Sequence, residues 1–401
     1  MARRSVTVAG RTYTLSPDDV PAPGQRVWGL VRARLVDETT GRPPVGGMFI
    51  RAVSRLGAGT GSIEVALPQV TPRVTGDGVV GLVGVPLRAT SMLASQSYSF
   101  DVILGAAGYL PFRRRVSLTA QPGFPDSFTP LDLADIPLRR EPTVLRGRVV
   151  LRGGGVRTPV AGATVRLTGI WRTPPPPNAT VPADPPNLIA VHPPLSFSRA
   201  AAVGSLRTRP VVPVAGQDKR VLDDVAAGAV ALRLSDSVGL GVGDVLIIDA
   251  TDPDRQEYVP ITGVPPSSAP LQPATVTLGT PLALPHGRGA PAQRATPQPA
   301  GPSIPLTRDA VMGDTCVFVN SLGGLTTGAV VELLGGPDPA ELHVIRLFET
   351  LSDGDGYYRL PPLNRVAQLE IEAVDGVNTP AARTLSPAYG VPENRLDLEL
   401  T

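Results

Sequence analysis

The chain has 401 residues, room for two to four domains at about 100–200 residues each, and its apolar share of 42% is ample for packed cores. A formal net charge of +2 supplies no strong field to steer it toward nucleic acid or acidic membranes, and a single cysteine, Cys316, excludes a disulfide framework. No 18-residue apolar segment is present to cross a bilayer as a helix, and the basic start Met1-Ala2-Arg3-Arg4-Ser5-Val6-Thr7 is not followed by the apolar run of a signal peptide; the expectation is a cytoplasmic protein, with release as part of a particle left open.

Gly 43 and Pro 46 punctuate the chain far more densely than usual. Proline breaks helix interiors and glycine supplies positive-φ turns, so many short strands are expected and no window shows a helical period. Residues 1–23 read as a flexible, polar arm. A first module over 24–141 opens with an alternating apolar run, Val27 to Val36, then a turn at Thr39-Thr40-Gly41-Arg42-Pro43. Met48-Phe49-Ile50-Arg51-Ala52-Val53, the turn Thr75-Gly76-Asp77-Gly78 and the period-two run Ser97 to Leu104 follow. Arg113, Arg114 and Arg115 form a basic run on a strand, read as a solvated face.

The same grammar starts again at Val144, with Leu145-Arg146-Gly147-Arg148-Val149-Val150-Leu151 and Pro159-Val160-Ala161-Gly162-Ala163-Thr164-Val165. Its turn and later strands arrive only at Asp353-Gly354-Asp355-Gly356-Tyr357-Tyr358-Arg359-Leu360, Leu369-Glu370-Ile371-Glu372-Ala373 and Leu396-Asp397-Leu398-Glu399-Leu400. The second module is therefore expected to be discontinuous, over 142–172 and 346–401. Insertions enter at loop tips because closure entropy grows slowly with length.

Within the insertion a repeat is visible: residues 228–248 fall on 313–333 without a gap, matching Gly239-Leu240 to Gly324-Leu325, Gly243 to Gly328 and Val245 to Val330. Each copy continues into a Glu-anchored strand, Glu257-Tyr258-Val259 or Glu341-Leu342-His343-Val344. The reading is two small β-barrel-like units, 228–284 and 307–345, with Pro-rich linkers at 173–227 and 285–306.

The segments Pro159 to Val165, Asp353 to Leu360 and Leu369 to Ala373 resemble the carboxypeptidase regulatory-like (transthyretin-like) β-sandwich, more weakly matched over 25–140. The resemblance implies folding, adhesion or assembly roles rather than catalysis. The inserted repeat, with Gly239-Leu240-Gly241-Val242-Gly243-Asp244-Val245-Leu246-Ile247, is similar in style to modules of phage-tail-like contractile injection particles.

The chemistry-bearing residues are sparse. His192, His286 and His343 lack His-x-x-x-His or His-Glu-x-x-His spacing and none neighbours Cys316, so no zinc site of known type is read. Gly239-x-Gly241-x-Gly243-Asp244 lacks the Lys-Ser/Thr of a phosphate loop and reads as a hairpin turn. Asp353/Asp355 and Asp249/Asp252/Asp254 read as turns, with calcium as the other possibility. Trp28 and Trp171 read as core or interdomain packing.

The expectation is thus an all-β, non-enzymatic protein of two transthyretin-like β-sandwich modules, the second split by an insertion carrying two small β-barrel-like repeats. It has no assigned catalytic, cofactor or metal residue. It would dock on protein subunits of a larger assembly, with homo-oligomerisation left open, through β edges and loops. An adhesin-like glycan- or protein-binding surface is the alternative.

Overall fold

The computed structural model describes residues 4–8, 11–15, 28–56, 63–66, 70–84, 97–119, 131–153, 156–175, 183–265, 269–270 and 272–401. Every regular element among them is a strand, so the chain is all-β, and among these residues no helix is long and apolar enough to cross a membrane. It divides into two units, Met1–Glu141 and Pro142–Thr401.

At the N-terminus, where the sequence reads as a flexible arm, Arg4–Val8 and Arg11–Leu15 pair as an antiparallel hairpin. Their β-branched and aromatic residues favour extended backbone over a disordered coil.

In the first unit, strands Trp28–Asp37, Val70–Val74, Val79–Gly84 and Leu131–Leu138 make one sheet, and Met48–Leu56, Ile63–Ala66, Ser97–Ala106 and Phe112–Thr119 make the other. Alternate residues meet between them: Leu35, Ile50, Val80, Leu82, Phe100, Val102 and Leu104 are buried in one core. Period-two alternation places every second side chain on that face, and each fully buried Val or Leu contributes about 1.5–3 kcal/mol. At its rim, Tyr109 donates to buried Asp37 (2.7 Å), which also takes the Arg140 guanidinium. Burial alone would raise the Asp37 pKa, but these two donors outweigh it and hold the carboxyl below its ordinary value.

The second sandwich repeats this plan. Val144–Gly153 takes the place of Trp28–Asp37, flanked by Tyr357–Arg359 on one side and, in parallel, by Glu393–Arg395 and Leu398–Leu400 on the other. Leu131–Leu138 is likewise parallel to Trp28–Asp37. Thr164–Trp171, Gln368–Val374, Ala381–Leu385 and Glu349–Leu351 form the facing sheet. The duplication reaches the turns: Gly78 (φ +89°) and Gly356 (φ +79°) follow an aspartate in both modules, and a Cβ on either would lie 2.7 or 2.6 Å from the carbonyl of Leu35 or Val149. Only glycine fits both the angle and the approach.

The inserted segments expected to be linkers are strands. Leu188–His192, Ser205–Thr208 and Val211–Arg220 lie within 173–227, and Pro291–Pro297 and Ser303–Pro305 lie within 285–306. Pro291, Pro297 and Pro305 stand at strand ends, and Pro213 borders a register shift, the places where a sheet tolerates a missing N–H. Two barrels result. One joins Ala231–Leu234, Val245–Ile248 and Glu257–Gly263 to Ala274–Leu278 and Pro291–Pro297; the other joins Cys316–Phe318, Val330–Leu334 and Glu341–Leu347 to Leu188–His192 and Ser205–Thr208. Equivalent bridges, Val221–Leu234 and Leu306–Val319, close the two rings, and each ring has its own core.

The repeat is therefore swapped. Each barrel combines the latter half of one copy with the first half of the other, and the copies meet where Tyr258 pairs with its equivalent Leu342. The glycines matched in the sequence adopt matched angles: Gly228 and Gly313 both +89°, Gly239 and Gly324 +75° and +79°, Gly243 and Gly328 +93° and +88°. The strand Cys316–Phe318 is apolar throughout because it is buried on both faces. Cys316 and Phe318 pack in the sandwich core, while Val317 packs in the barrel. The insertion shares a core with its host module.

Candidate functional site: an arginine-lined groove

The histidines serve the barrels. Glu257, 3% exposed, accepts the backbone N–H groups of Ala283 (2.6 Å) and Leu284 (3.3 Å) and meets His286 Nε2 at 2.9 Å, while His286 Nδ1 meets Asp249 at 2.8 Å. In the other barrel Glu341 accepts the N–H groups of Ser196 (2.6 Å) and Phe197 (3.2 Å), and buried Arg199 stands where His286 stands, 3.3 Å from the carboxylate. Each glutamate thus fastens the exchanged half-repeat to its barrel, beside a buried histidine in one and a buried arginine in the other. His343 Nδ1 meets the Pro193 carbonyl at 3.0 Å.

Burial disfavours the His286 imidazolium, but the bonds to Glu257 and Asp249 outweigh it and raise its pKa above the ordinary 6.5. A raised folded-state pKa contributes stability that is fully present below 6.5 and is lost as pH rises through the folded value. The destabilisation caused by His286→Gln, read from urea midpoints, is expected to be larger at pH 6 than at pH 9; a pH-independent difference would contradict this account.

Of the aspartates considered for calcium, Asp353 accepts the backbone N–H groups of Asp355 (3.0 Å) and Tyr357 (2.8 Å) in its turn, Asp252 accepts that of Asp254 (3.0 Å), and Asp249 meets His286. Among the described residues no group of three or more His, Cys, Asp or Glu is arranged to hold a metal. The turn at Gly239 caps a strand entry, with Asp244 accepting from Gly241 (2.7 Å). Arg113 and Arg115 share Asp101 on the edge strand Phe112–Thr119, lone Cys316 is buried, and Lys219 pairs with Asp236 at 2.6 Å. Trp171 is half-buried at the end of its strand; the side chain of Trp28 lies outside the described residues.

The feature that sequence reasoning missed is on the outer face of the second sandwich. Leu145, Gly147 and Val149 face the core, so Arg146 and Arg148 face outward. Register sets Arg359 opposite Arg146 on one side and Arg395 opposite it on the other. Three arginines thus stand in a row across three strands. Like charges directly opposite each other destabilise a sheet, so folding alone does not favour this row. Arg146 meets Glu393 at 2.7 Å and Arg395 is 3.5 Å from Asp397. Arg148 donates to the Asp355 carbonyl (2.7 Å) and lies over the Tyr357 ring, itself half-exposed. Arg359 is exposed, with no carboxylate in ion-pair range among the described residues.

The first sandwich provides an internal comparison. At the equivalent positions Arg32 faces Gly81 and Asp132, and its guanidinium is paired with Asp132; Arg34 reaches Asp135 at 3.6 Å. The two copies thus differ at equivalent positions, Gly81-Arg32-Asp132 in one and Arg359-Arg146-Arg395 in the other, so the second face carries two more arginines and lacks the aspartate.

The row lines a cleft of about 550 Å³ with Tyr357 and Thr350. Thr350 and Arg359 also line a second cleft of about 240 Å³ at the seam with the barrels, which holds His192, Arg346, Pro361 and Pro362. The two clefts adjoin at Thr350 and Arg359. Burial, then the nearby Arg346 charge, lowers the His192 pKa, so this end carries a neutral imidazole at pH 7. Planar guanidinium forks and an exposed tyrosine are groups suited to protein recognition through carboxylates.

No protein-family model matches the chain, and no curated protein matches it. The solved structures it is similar to include the major pilin subunit BcpA of Bacillus cereus, at 8% identity and a TM-score of 0.22 over 94% of this chain and 99% of that one. A variant of the same pilin aligns at 9% identity and 0.20, over 92% and 99%. Likeness at that level carries no argument about fold or role.

Proposed function

We propose that the chain is a non-enzymatic assembly protein that docks on neighbouring subunits, and that its setting is a phage-tail-like or contractile injection particle. The observation that carries the reading is the arginine row of the second sandwich, where three arginines are neighbours and Arg359 has no carboxylate in ion-pair range among the described residues, against Arg32 paired with Asp132 in the first. A face that costs folding stability and supplies recognition groups is explained by a partner. The remaining architecture supports a scaffold: buried charges fasten strands, and the inserted barrels share a core with the sandwich that presents the groove. The particle class rests on the resemblance of the repeat and the sandwich grammar.

Sedimentation tests the reading. A tagged chain expressed in its native host is expected to travel with the particle fraction on a density gradient, together with tube, sheath or baseplate subunits. A chain that stays at the top of the gradient while particles sediment would refute it. Retention on glycan-coated beads in that case would favour the adhesin alternative.

A further inference from the structure

We propose that the groove binds an extended acidic segment of a partner protein, seating carboxylates of alternate residues on Arg359, Arg146 and Arg395. This rests on the assembly reading above and names the chemistry of its partner. Adjacent strands lie about 4.8 Å apart, so the row is about 10 Å long at its base, and same-face residues of an extended peptide recur every ~7 Å. Long guanidinium arms close the difference, and each fork accepts a carboxylate through two parallel N–H bonds. Tyr357 on one side of Arg359 along its strand, and Pro361 and Pro362 on the other, offer apolar surface to the side chains beside the Arg359 seat.

A uniformly charged phosphate chain fits less well. Glu393, Asp397 and Asp353 stand among the arginines and repel a ligand that carries a charge on every unit, whereas a peptide can set a neutral side chain opposite each of them. Arg359 is the anchor, since binding there breaks no existing ion pair.

The test is fluorescence anisotropy of the full chain with a labelled ten-residue peptide of alternating Glu and Thr, and with a ten-nucleotide thymidine strand. The wild-type chain is expected to bind the peptide saturably, more weakly at about 0.5 M than at about 0.05 M salt, and more tightly than the oligonucleotide. Arg359→Gln is expected to weaken peptide binding at least about tenfold, the value of one hydrogen bond to a charged group. Arg395→Asp, which restores the arrangement already folded around Arg32, is expected to do the same with a melting midpoint no lower than that of the wild type. Arg383→Gln, on the exposed strand Ala381–Leu385, should bind as wild type. Absent peptide binding, tighter oligonucleotide binding, or wild-type affinity in Arg359→Gln and Arg395→Asp would each overturn the inference. Should Arg395→Asp still sediment with particles, the acidic-segment inference falls while the assembly reading stands. Should the wild-type chain bind peptide but never sediment with particles, the groove chemistry stands and the assembly reading falls.

Discussion

Gly147→Ala is expected to abolish folding of the second sandwich. A Cβ at this position would lie 1.7 Å from the Leu396 carbonyl oxygen and 3.0 Å from the Tyr358 ring. Leu396 has nowhere to go, because its N–H donates to the Arg146 carbonyl (2.9 Å) and its carbonyl accepts the Tyr358 hydroxyl (2.6 Å). Burial, then the charge of Asp397, raises the Tyr358 pKa, so that hydroxyl keeps its proton. Relief would break the point where the last strand crosses from Glu393–Arg395 to Leu398–Leu400, and the cost is expected to exceed the ~1–3 kcal/mol of ordinary overpacking, because the atom met is fixed backbone. Gly153→Ala meets nothing within 4 Å and is expected to stay within about 0.5 kcal/mol of wild type. Urea denaturation compares the two, and a normal midpoint for Gly147→Ala would show that the crossing is looser than described.

Arg199→Met is the second large effect. Arg199 is 1% exposed, bonded to Glu341 and the Pro339 carbonyl, and 3.5 Å from Asp338. Removing it leaves Glu341 buried without its cation, at a cost of about 3–5 kcal/mol. Because that cost comes from the stranded carboxylate, adding Glu341→Gln should recover part of it, and the double-mutant cycle should show a coupling of about 1–3 kcal/mol. Strict additivity would mean that the two side chains act independently.

The sequence made the strand class, both sandwich repeats and the glycine register of the barrels readable, because each rests on local rules. Gly228 and Gly313 mark equivalent turns, and Glu257 and Glu341 open equivalent strands in the two copies. The exchange of half-repeats was hidden because the exchanged halves share little beyond Pro194-Leu195 and Pro281-Leu282, and their prolines read as linker. His286 and Arg199 are equivalent in place but not in type, so alignment passes over them. The arginine row was hidden for a different reason: Arg146, Arg359 and Arg395 meet only through strand register across about 250 residues of chain. A local clue existed in Arg146-Gly147-Arg148, where arginines alternate with a core-facing glycine, but the run Arg113 to Arg115 carries more charge and is structurally ordinary.

The central claim is that the chain works by docking this face onto its neighbours. Affinity capture of the tagged wild-type and Arg395→Asp chains from native lysate, quantified by mass spectrometry, tests it most directly. Tube, sheath or baseplate subunits are expected to accompany the wild type and to be depleted at least about tenfold with Arg395→Asp. A wild-type chain that recovers only itself, or a variant that recovers the same subunits in full, would contradict it.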